Sequence, residues 1–248
     1  MKMTRKLIPA LAMLLISAVM LSTASFAWFS MNTTVTANGM QIQAKSDQTF
    51  LLISATKTTA SEIQAEFASN ATFARDAVLP SNITVYPAAV KGTPTKDSDL
   101  KFQYAVGTSY DNGAAKDGVY TEVSNLENYV VKYTFYLTVA AGAVPASDIV
   151  VKSIAITGDS AVNAVVTTDS AAVVFNGPSS TESQTVLSSG LNAGDATNAG
   201  KLTDTTVLPV HVYVYFNGDD TRVTTANSTN LANTTVTITF GVKGATQN

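Results

Sequence analysis

The chain has 248 residues, of which 46% are apolar and 13% charged, a composition that can fill a hydrophobic core and excludes the usual class of disordered proteins. It contains no cysteine, which excludes disulfides, thiolate metal sites and cysteine nucleophiles. The formal net charge is −3, so the chain lacks the basic face that binding to nucleic acid requires.

The N-terminus has the organisation of an export signal. Cationic side chains at the very start precede an apolar run at residues 7–21, and small residues follow at the spacing that a signal peptidase reads. We expect signal peptidase to cut between Ala27 and Trp28. Residues 1–27 are then a signal peptide, and residues 28–248 form a single elaborated β-sandwich domain.

Two alternatives to this cleavage stay open. Cleavage after Ala24 satisfies the same rule for small residues. The apolar segment at residues 7–29 is also nearly long enough to span a bilayer, which would make it a retained anchor. Only through such an uncleaved segment do we expect contact with a membrane.

The first strands are predicted directly after the export signal. Residues 33–36 and 40–44 alternate in polarity, and Asn38-Gly39 between them favours a tight turn. Residues 50–54 form a short continuous apolar run, which is typical of a strand covered on both faces. The mature chain therefore begins with a strand, a kink and a second strand, followed by a buried third strand.

Residues 55–77 interrupt the strand pattern. Ile63, Phe67 and Phe73 lie at near-helical spacing, and Pro80 ends the segment. This spacing predicts one short helix that covers an end of a sheet.

Short alternating segments then recur with turn residues between them. The clearest is residues 129–140, where Val131 and Phe135 lie on one face and Lys132 on the other. The complete set is residues 83–87, 102–106, 129–140, 150–156, 161–167, 172–175, 207–216 and 234–240. Many short strands of this kind are typical of a β-sandwich or jelly roll. Because strong strands occur near both ends of the chain, we expect the first and last strands to share one core.

Residues 176–206 are low in complexity and dominated by Ser, Thr, Gly, Asn and Ala. We interpret them as a long surface excursion, partly paired with the sheets, and not as a linker between domains. Together with the helix, this gives an all-β fold class: a jelly-roll or Ig-like β-sandwich with one short helical insertion and long surface loops.

No group of residues in the sequence has the composition of a catalytic or metal site. His211 is the only histidine and lies within a predicted strand, which excludes a His-Glu-x-x-His zinc motif and favours a structural role. Asn217-Gly218-Asp219-Asp220 lacks the ligand spacing of a calcium loop and favours a hairpin turn. We therefore predict no catalytic residue, no metal, no cofactor and no enzymatic activity.

A sugar-binding platform is a further possibility. Six aromatic side chains in the predicted strands have the size for it: Tyr133, Phe135, Tyr136, Tyr213, Tyr215 and Phe216. Such residues more often fill the core of a sandwich with one face of a strand, and we favour that interpretation.

The N-terminal junction resembles that of the TasA/camelysin family of Gram-positive exported proteins. The resemblance is carried by the motif ASFAWFS at residues 24–30 and by MQIQA at residues 40–44. It departs from the family at Met31, where an Asp is usual, and it covers about the first 45 residues. It implies a jelly-roll subunit that is exported, cut by a dedicated signal peptidase and, in some relatives, assembled into fibres of the biofilm matrix.

The same resemblance implies that the freed N-terminal strand completes the sheet of a neighbouring subunit. We predict the donor residues Phe29, Thr33, Val35 and Ala37, in a segment that is apolar, β-prone and nearly uncharged. Head-to-tail insertion does not close, so it would build a filament. Pairing of this strand within its own subunit is an equal alternative.

The leading functional hypothesis is a secreted structural subunit of an extracellular fibre, biofilm matrix or cell-surface layer. Its expected partners are further copies of itself and a signal peptidase, and its location is extracellular, at the cell surface. The alternative is a monomeric surface adhesin or carbohydrate-binding module.

Overall fold

The computed structural model describes residues 35–37, 40–46, 50–69, 74–78, 83–105, 110–111, 114–115, 120–158, 161–175, 185–218 and 234–243. These residues form a two-layer β-sandwich with a short helix and a small additional sheet on one face. The expectation of an all-β sandwich with one short helical insertion is confirmed. The finer jelly-roll designation stays a prediction.

The elements follow one another along the chain in short, mostly strand segments. The strands are β1 (Val35–Ala37), β2 (Gln41–Ser46), β3 (Leu51–Ser54), β4 (Ala74–Asp76), β5 (Ile83–Val85), β6 (Ala89–Val90), β7 (Phe102–Ala105), β8 (Tyr110–Asp111), β9 (Ala114–Ala115), β10 (Tyr120–Glu122), β11 (Val131–Val139), β12 (Ile149–Thr157), β13 (Val162–Thr167), β14 (Ala172–Phe175), β15 (Leu208–Phe216) and β16 (Thr235–Val242). Helix α1 spans Ala60–Ser69, and single 3₁₀ turns span Asp97–Asp99 and Leu126–Asn128.

One layer is a five-stranded antiparallel sheet in the order β14-β13-β15-β11-β3. Its strands keep the alternation read from the sequence. Phe135 and Leu137 of β11 are fully buried in the core, whereas Lys132 of the same strand faces outward and is exposed. The continuous apolar run in β3 is buried on both faces, as its lack of alternation predicts.

The second layer is a four-stranded sheet in the order β12-β16-β2-β4. Its two central strands, β2 and β16, pair in parallel, with Gln41 opposite Thr235 and Ser46 opposite Phe240. The expectation that strands from near both ends of the sequence share one core therefore holds for β2 and β16. The core between the layers includes the fully buried rings of Phe135, Phe216 and Phe240.

A small third layer covers the outer face of the five-stranded sheet. It is the three-stranded sheet β10-β7-β6, and Phe102 of β7 packs on the outward rings of β15. The centroid of the Phe102 ring lies 5.2 Å from that of Tyr215 and 6.2 Å from that of Tyr213. Burial on both sides explains why β15 reads as a nearly continuous apolar and aromatic run.

Helix α1 connects the edges of the two main sheets. Its Glu66 accepts a hydrogen bond from Ser54 Oγ of β3 at 2.5 Å and forms an ion pair with Arg75 of β4 at 3.2 Å. Gln64 donates from Nε2 to the carbonyl of Val139, at the end of β11. The predicted helix is thus present, and it closes one side of the sandwich.

The interval predicted to break the strand pattern contains one more strand than expected. Residues 74–76 form β4, because the outer edge of β2 offers unpaired backbone groups to this segment. Ala77 N, which follows β4, also donates to the carbonyl of Ile42 at 2.8 Å. Phe73, which was part of the helical spacing, lies outside the described residues.

The described part of the predicted surface excursion, residues 185–206, enters the core. Leu187 and Leu202 are fully buried in the main core cluster. Leu187 N donates to the carbonyl of Ile149, and Leu202 exchanges two backbone hydrogen bonds with Ala146, both at 2.8 Å. The excursion therefore covers the outer edge of β12 and the start of that strand.

The hairpin turn predicted at residues 217–220 lies partly outside the described residues, which include Asn217 and Gly218 but not Asp219 and Asp220. Strand β15 belongs to the five-stranded sheet, and the next described strand, β16, belongs to the four-stranded sheet. Asn217 and Gly218 run beside Ala88, whose carbonyl accepts from Gly218 N at 2.9 Å.

Candidate functional site

The N-terminal strand β1 is attached to its own chain by one short pairing. Val35, Thr36 and Ala37 lie antiparallel to Val85, Thr84 and Ile83 of β5, in a two-stranded sheet separate from both main sheets. By comparison, β16 is paired along its length with both β12 and β2. Strand β1 is therefore held by three residue pairs on one side, whereas β16 is held by longer pairings on both sides.

The partner strand β5 is fixed firmly to the body of the sandwich. Val85 is 1% exposed and belongs to the main core cluster. Immediately after it, Tyr86 N donates to the carbonyl of Asn128 at 2.7 Å, and Ala88 N donates to the carbonyl of Phe216 at 3.0 Å. The arrangement combines a weakly attached strand with a rigid pairing surface.

Two of the predicted donor residues, Val35 and Ala37, lie in β1. Phe29 and Thr33 lie outside the described residues, as do Ala27 and Trp28 at the predicted cleavage position. Within the part of the chain that is described, no helix combines the length and apolar character needed to cross a membrane.

The six aromatic residues considered as a sugar platform do not form one surface. Phe135, Phe216, Tyr213 and Tyr215 are buried, the first two in the main core and the tyrosines beneath the third layer. Tyr133 is partly buried against the main core, and its hydroxyl donates to the carbonyl of Ala55 at 2.8 Å. The interpretation of these residues mainly as core agrees with their burial.

A polar cluster lies between the outer face of the five-stranded sheet and the 3₁₀ turn at Asp97–Asp99. The Asp97 carboxylate accepts hydrogen bonds from the hydroxyls of Tyr213, at 2.8 Å, and Thr167. Burial and the Asp97 carboxylate raise the pKa of Tyr213 far above its usual range, so the phenol stays protonated. These contacts fasten the turn to β13 and β15.

His211 lies beside this polar cluster and is half-buried. Its Nδ1 lies 2.8 Å from Thr134 Oγ1 on the neighbouring strand β11. The pKa of His211 is lowered overall, and burial is the main cause. The negative charge of Asp97 opposes this shift, and the positive charge of Lys132 adds to it. The side chain has the environment of a neutral histidine that packs on a sheet.

Ionisable groups in the described part of the chain do not converge on a metal position. No three His, Asp or Glu side chains among these residues are arranged to hold an ion.

On the exposed face of the third layer, Glu122 forms ion pairs with Lys91 at 2.8 Å and Lys101 at 2.9 Å. Hydrogen bonds from these two lysines lower the pKa of Glu122 to about 2.

One group of side chains was not singled out from the sequence. A partly exposed tyrosine cluster lies on the third layer, and its members come from three separate segments: Tyr86, Tyr104 and Tyr129. The ring centroids of Tyr104 and Tyr129 are 5.1 Å apart with an interplanar angle of 25°, and those of Tyr86 and Tyr129 are 5.5 Å apart at 43°. No spacing along the chain signals this cluster, because long-range packing creates it.

Comparisons with known proteins identify no relative of this chain. No protein-family model matches it, and neither the curated proteins nor the solved structures contain a match. The resemblance of the N-terminal junction to the TasA/camelysin family accordingly stays a prediction.

Proposed function

We propose that this protein is an exported structural subunit that assembles outside the cell into a fibre or surface layer by exchange of its N-terminal strand. The observation that carries the proposal is the pairing of β1 with β5: it involves three residue pairs and lies outside both main sheets. The partners are further copies of the chain, after a signal peptidase has freed the N-terminus.

The geometry of β5 makes exchange between copies physically reasonable. Its side chain at Val85 is anchored in the core, so β5 stays in place as a template when β1 leaves. The β1 segment of a second copy offers the same backbone groups in the same register, so the hydrogen bonds lost within one chain are regained between chains. Exchange that continues in one direction from copy to copy does not close, and it produces a filament.

The adhesin alternative receives less support from the described residues. The platform suggested from the sequence would present its aromatic rings together on one exposed surface. Four of the six aromatic side chains that suggested it are buried. A carbohydrate-binding function would therefore need a different surface from the one that the sequence suggested.

A truncation tests assembly directly. We expect purified protein that begins at Trp28 to form filaments visible by electron microscopy, and protein lacking residues 28–37 to remain monomeric with an unchanged circular dichroism spectrum. The fibre proposal is overturned if the longer protein stays monomeric at all concentrations. Strand exchange is overturned if the truncated protein still forms filaments.

Cysteine pairs distinguish exchange from pairing within one chain, and the cysteine-free sequence makes their interpretation simple. Thr36 lies directly opposite Thr84, and opposed residues of an antiparallel pair fall within the Cα separation of a disulfide. The double variant Thr36→Cys/Thr84→Cys should be locked as a monomer when oxidised and should assemble again on reduction. Filaments from the oxidised, locked monomer would rule out exchange.

A mixture of single variants provides the matched control. Each chain of Thr36→Cys or Thr84→Cys carries one thiol, so a disulfide between positions 36 and 84 must join two chains. Oxidation of filaments assembled from an equal mixture should give covalent dimers linked at these two positions. If only dimers of identical variants appear, β5 is not the acceptor of the exchanged strand.

A further inference from the structure

The proposed strand exchange does not use the side chains of the tyrosine cluster Tyr86, Tyr104 and Tyr129. Tyr104 lies in β7 of the third layer, and Tyr129 lies between the 3₁₀ turn at Leu126–Asn128 and β11. The backbone holds both rings in place, since Tyr104 pairs with Thr121 of β10 and Tyr129 N donates to the carbonyl of Leu126. Two segments far apart in sequence therefore present stacked phenols side by side.

The two phenols are also close enough to affect each other's ionisation. Burial raises the pKa of Tyr129, and the neighbouring phenol of Tyr104 contributes to the rise mainly through its charge. Rings that stack with their centroids 5.1 Å apart and an interplanar angle of 25° bring carbons of the two phenols close together. In each phenol, two ring carbons lie next to, or ortho to, the hydroxyl. These ortho carbons, with the oxygen, carry the unpaired spin of a tyrosyl radical.

We propose that Tyr104 and Tyr129 form an oxidative cross-linking site that a peroxide-dependent oxidant converts to dityrosine within one chain. Each phenol loses one electron and its hydroxyl proton, and the two radicals join through a new carbon–carbon bond between ortho positions. The two ring hydrogens then move to the oxygens, which restores both phenols. One hydrogen peroxide takes up the two electrons and two protons and leaves as two waters.

Several features of the molecule suit this chemistry. All three rings of the cluster are partly exposed, so an oxidant in solution can reach them. The chain has no cysteine, so no thiol intercepts the oxidant or a tyrosyl radical. The new bond would join β7 covalently to the segment that leads into β11, and so fasten the third layer to the five-stranded sheet. The inference is independent of strand exchange, because both rings belong to one chain.

Treatment of dilute, purified protein with a haem peroxidase and hydrogen peroxide tests the proposal. We expect dityrosine fluorescence in a product that remains monomeric on a denaturing gel, with a mass lower by two hydrogens. Tandem mass spectrometry should find one linked pair of peptides, which contain Tyr104 and Tyr129. Absence of the fluorescence, a linkage at other tyrosines, or a product made only of linked chains would each overturn the proposal.

Conservative variants identify the pair. Tyr104→Phe and Tyr129→Phe should each lose the monomer fluorescence, whereas Tyr86→Phe should retain it. Tyr136→Phe is the matched control, because Tyr136 is a partly exposed tyrosine of β11 outside the cluster. Retention of the fluorescence by Tyr129→Phe contradicts the assignment. Since Phe preserves the ring packing, unchanged circular dichroism spectra will confirm that each variant is folded.

Discussion

Truncation of Leu202 tests whether the low-complexity region is a structural part of the sandwich. The side chain is 0% exposed within the main core, although its neighbours in sequence are mostly small and polar. Replacing a fully buried Leu with Ala removes apolar contacts and leaves a cavity, which typically destabilises a protein by about 2–5 kcal/mol. We expect Leu202→Ala to lower the free energy of unfolding by about 3 kcal/mol.

Urea denaturation followed by circular dichroism measures this change. For an m-value of about 2–3 kcal/mol/M, a loss of about 3 kcal/mol lowers the midpoint by about 1–1.5 M. Val144→Ala is the control, because Val144 lies two residues from the backbone partner of Leu202 but is 83% exposed. Its effect should stay within about 0.5 kcal/mol. Equal midpoints for the two variants would mean that residues 185–206 do not contribute to the core.

Three further predictions concern single contacts. Glu66→Gln should destabilise the protein by about 1–3 kcal/mol in urea, because it removes the charged partner of the nearly buried Arg75; an unchanged midpoint would show that the ion pair does not matter. Gly142→Ala should lower the free energy of unfolding by about 1 kcal/mol, because the φ of Gly142 is +72°. Gly194→Ala should leave stability unchanged, because this glycine has open space around it and no positive φ. Equal effects of the two changes would exclude a backbone origin. The lowered pKa of Glu122 means that its contribution to stability is complete above pH 4.5 and is lost as the pH falls through about 2; an NMR titration of its carboxyl group with an unshifted midpoint would contradict this.

The strands with strong alternation were predictable from the sequence. In β11 and β16 the side-chain period of two largely matches burial on one face, since a shift by one residue would exchange core and solvent. Strand β12 follows this period from Ile154 to Thr157, after a register shift between Val151 and Ser153. β3 was predictable for a different reason, because a continuous apolar run implies cover on both sides. In these segments the local sequence pattern is sufficient to predict the strand.

Other features depend on contacts that no local pattern encodes. Strand β4 has three residues and exists because β2 has a free edge beside it. The composition of residues 185–206 predicts a surface segment, and its two buried leucines are the signal against that interpretation. The layer to which a strand belongs is decided by long-range packing, so no local pattern assigns β15 and β16 to different sheets.

The candidate site was predictable only in part. The β-prone, uncharged N-terminal segment pointed to a strand, and β1 is present at Val35–Ala37. Its intramolecular partner β5 was not predictable, because the pairing joins two short segments across the helix. The tyrosine cluster likewise depends on how the third layer packs, and individual tyrosines in the sequence give no indication of it.

The parallel pairing of β2 with β16 sets an order for folding. Strand β2 lies between β16 and β4, and β12 reaches the rest of its sheet only through β16. In sequence, almost the whole described chain lies between β2 and β16. Bringing these two strands together therefore has a large cost in conformational entropy, which slows folding. The four-stranded layer is therefore completed only when β16 meets β2, in whatever order the other strands form.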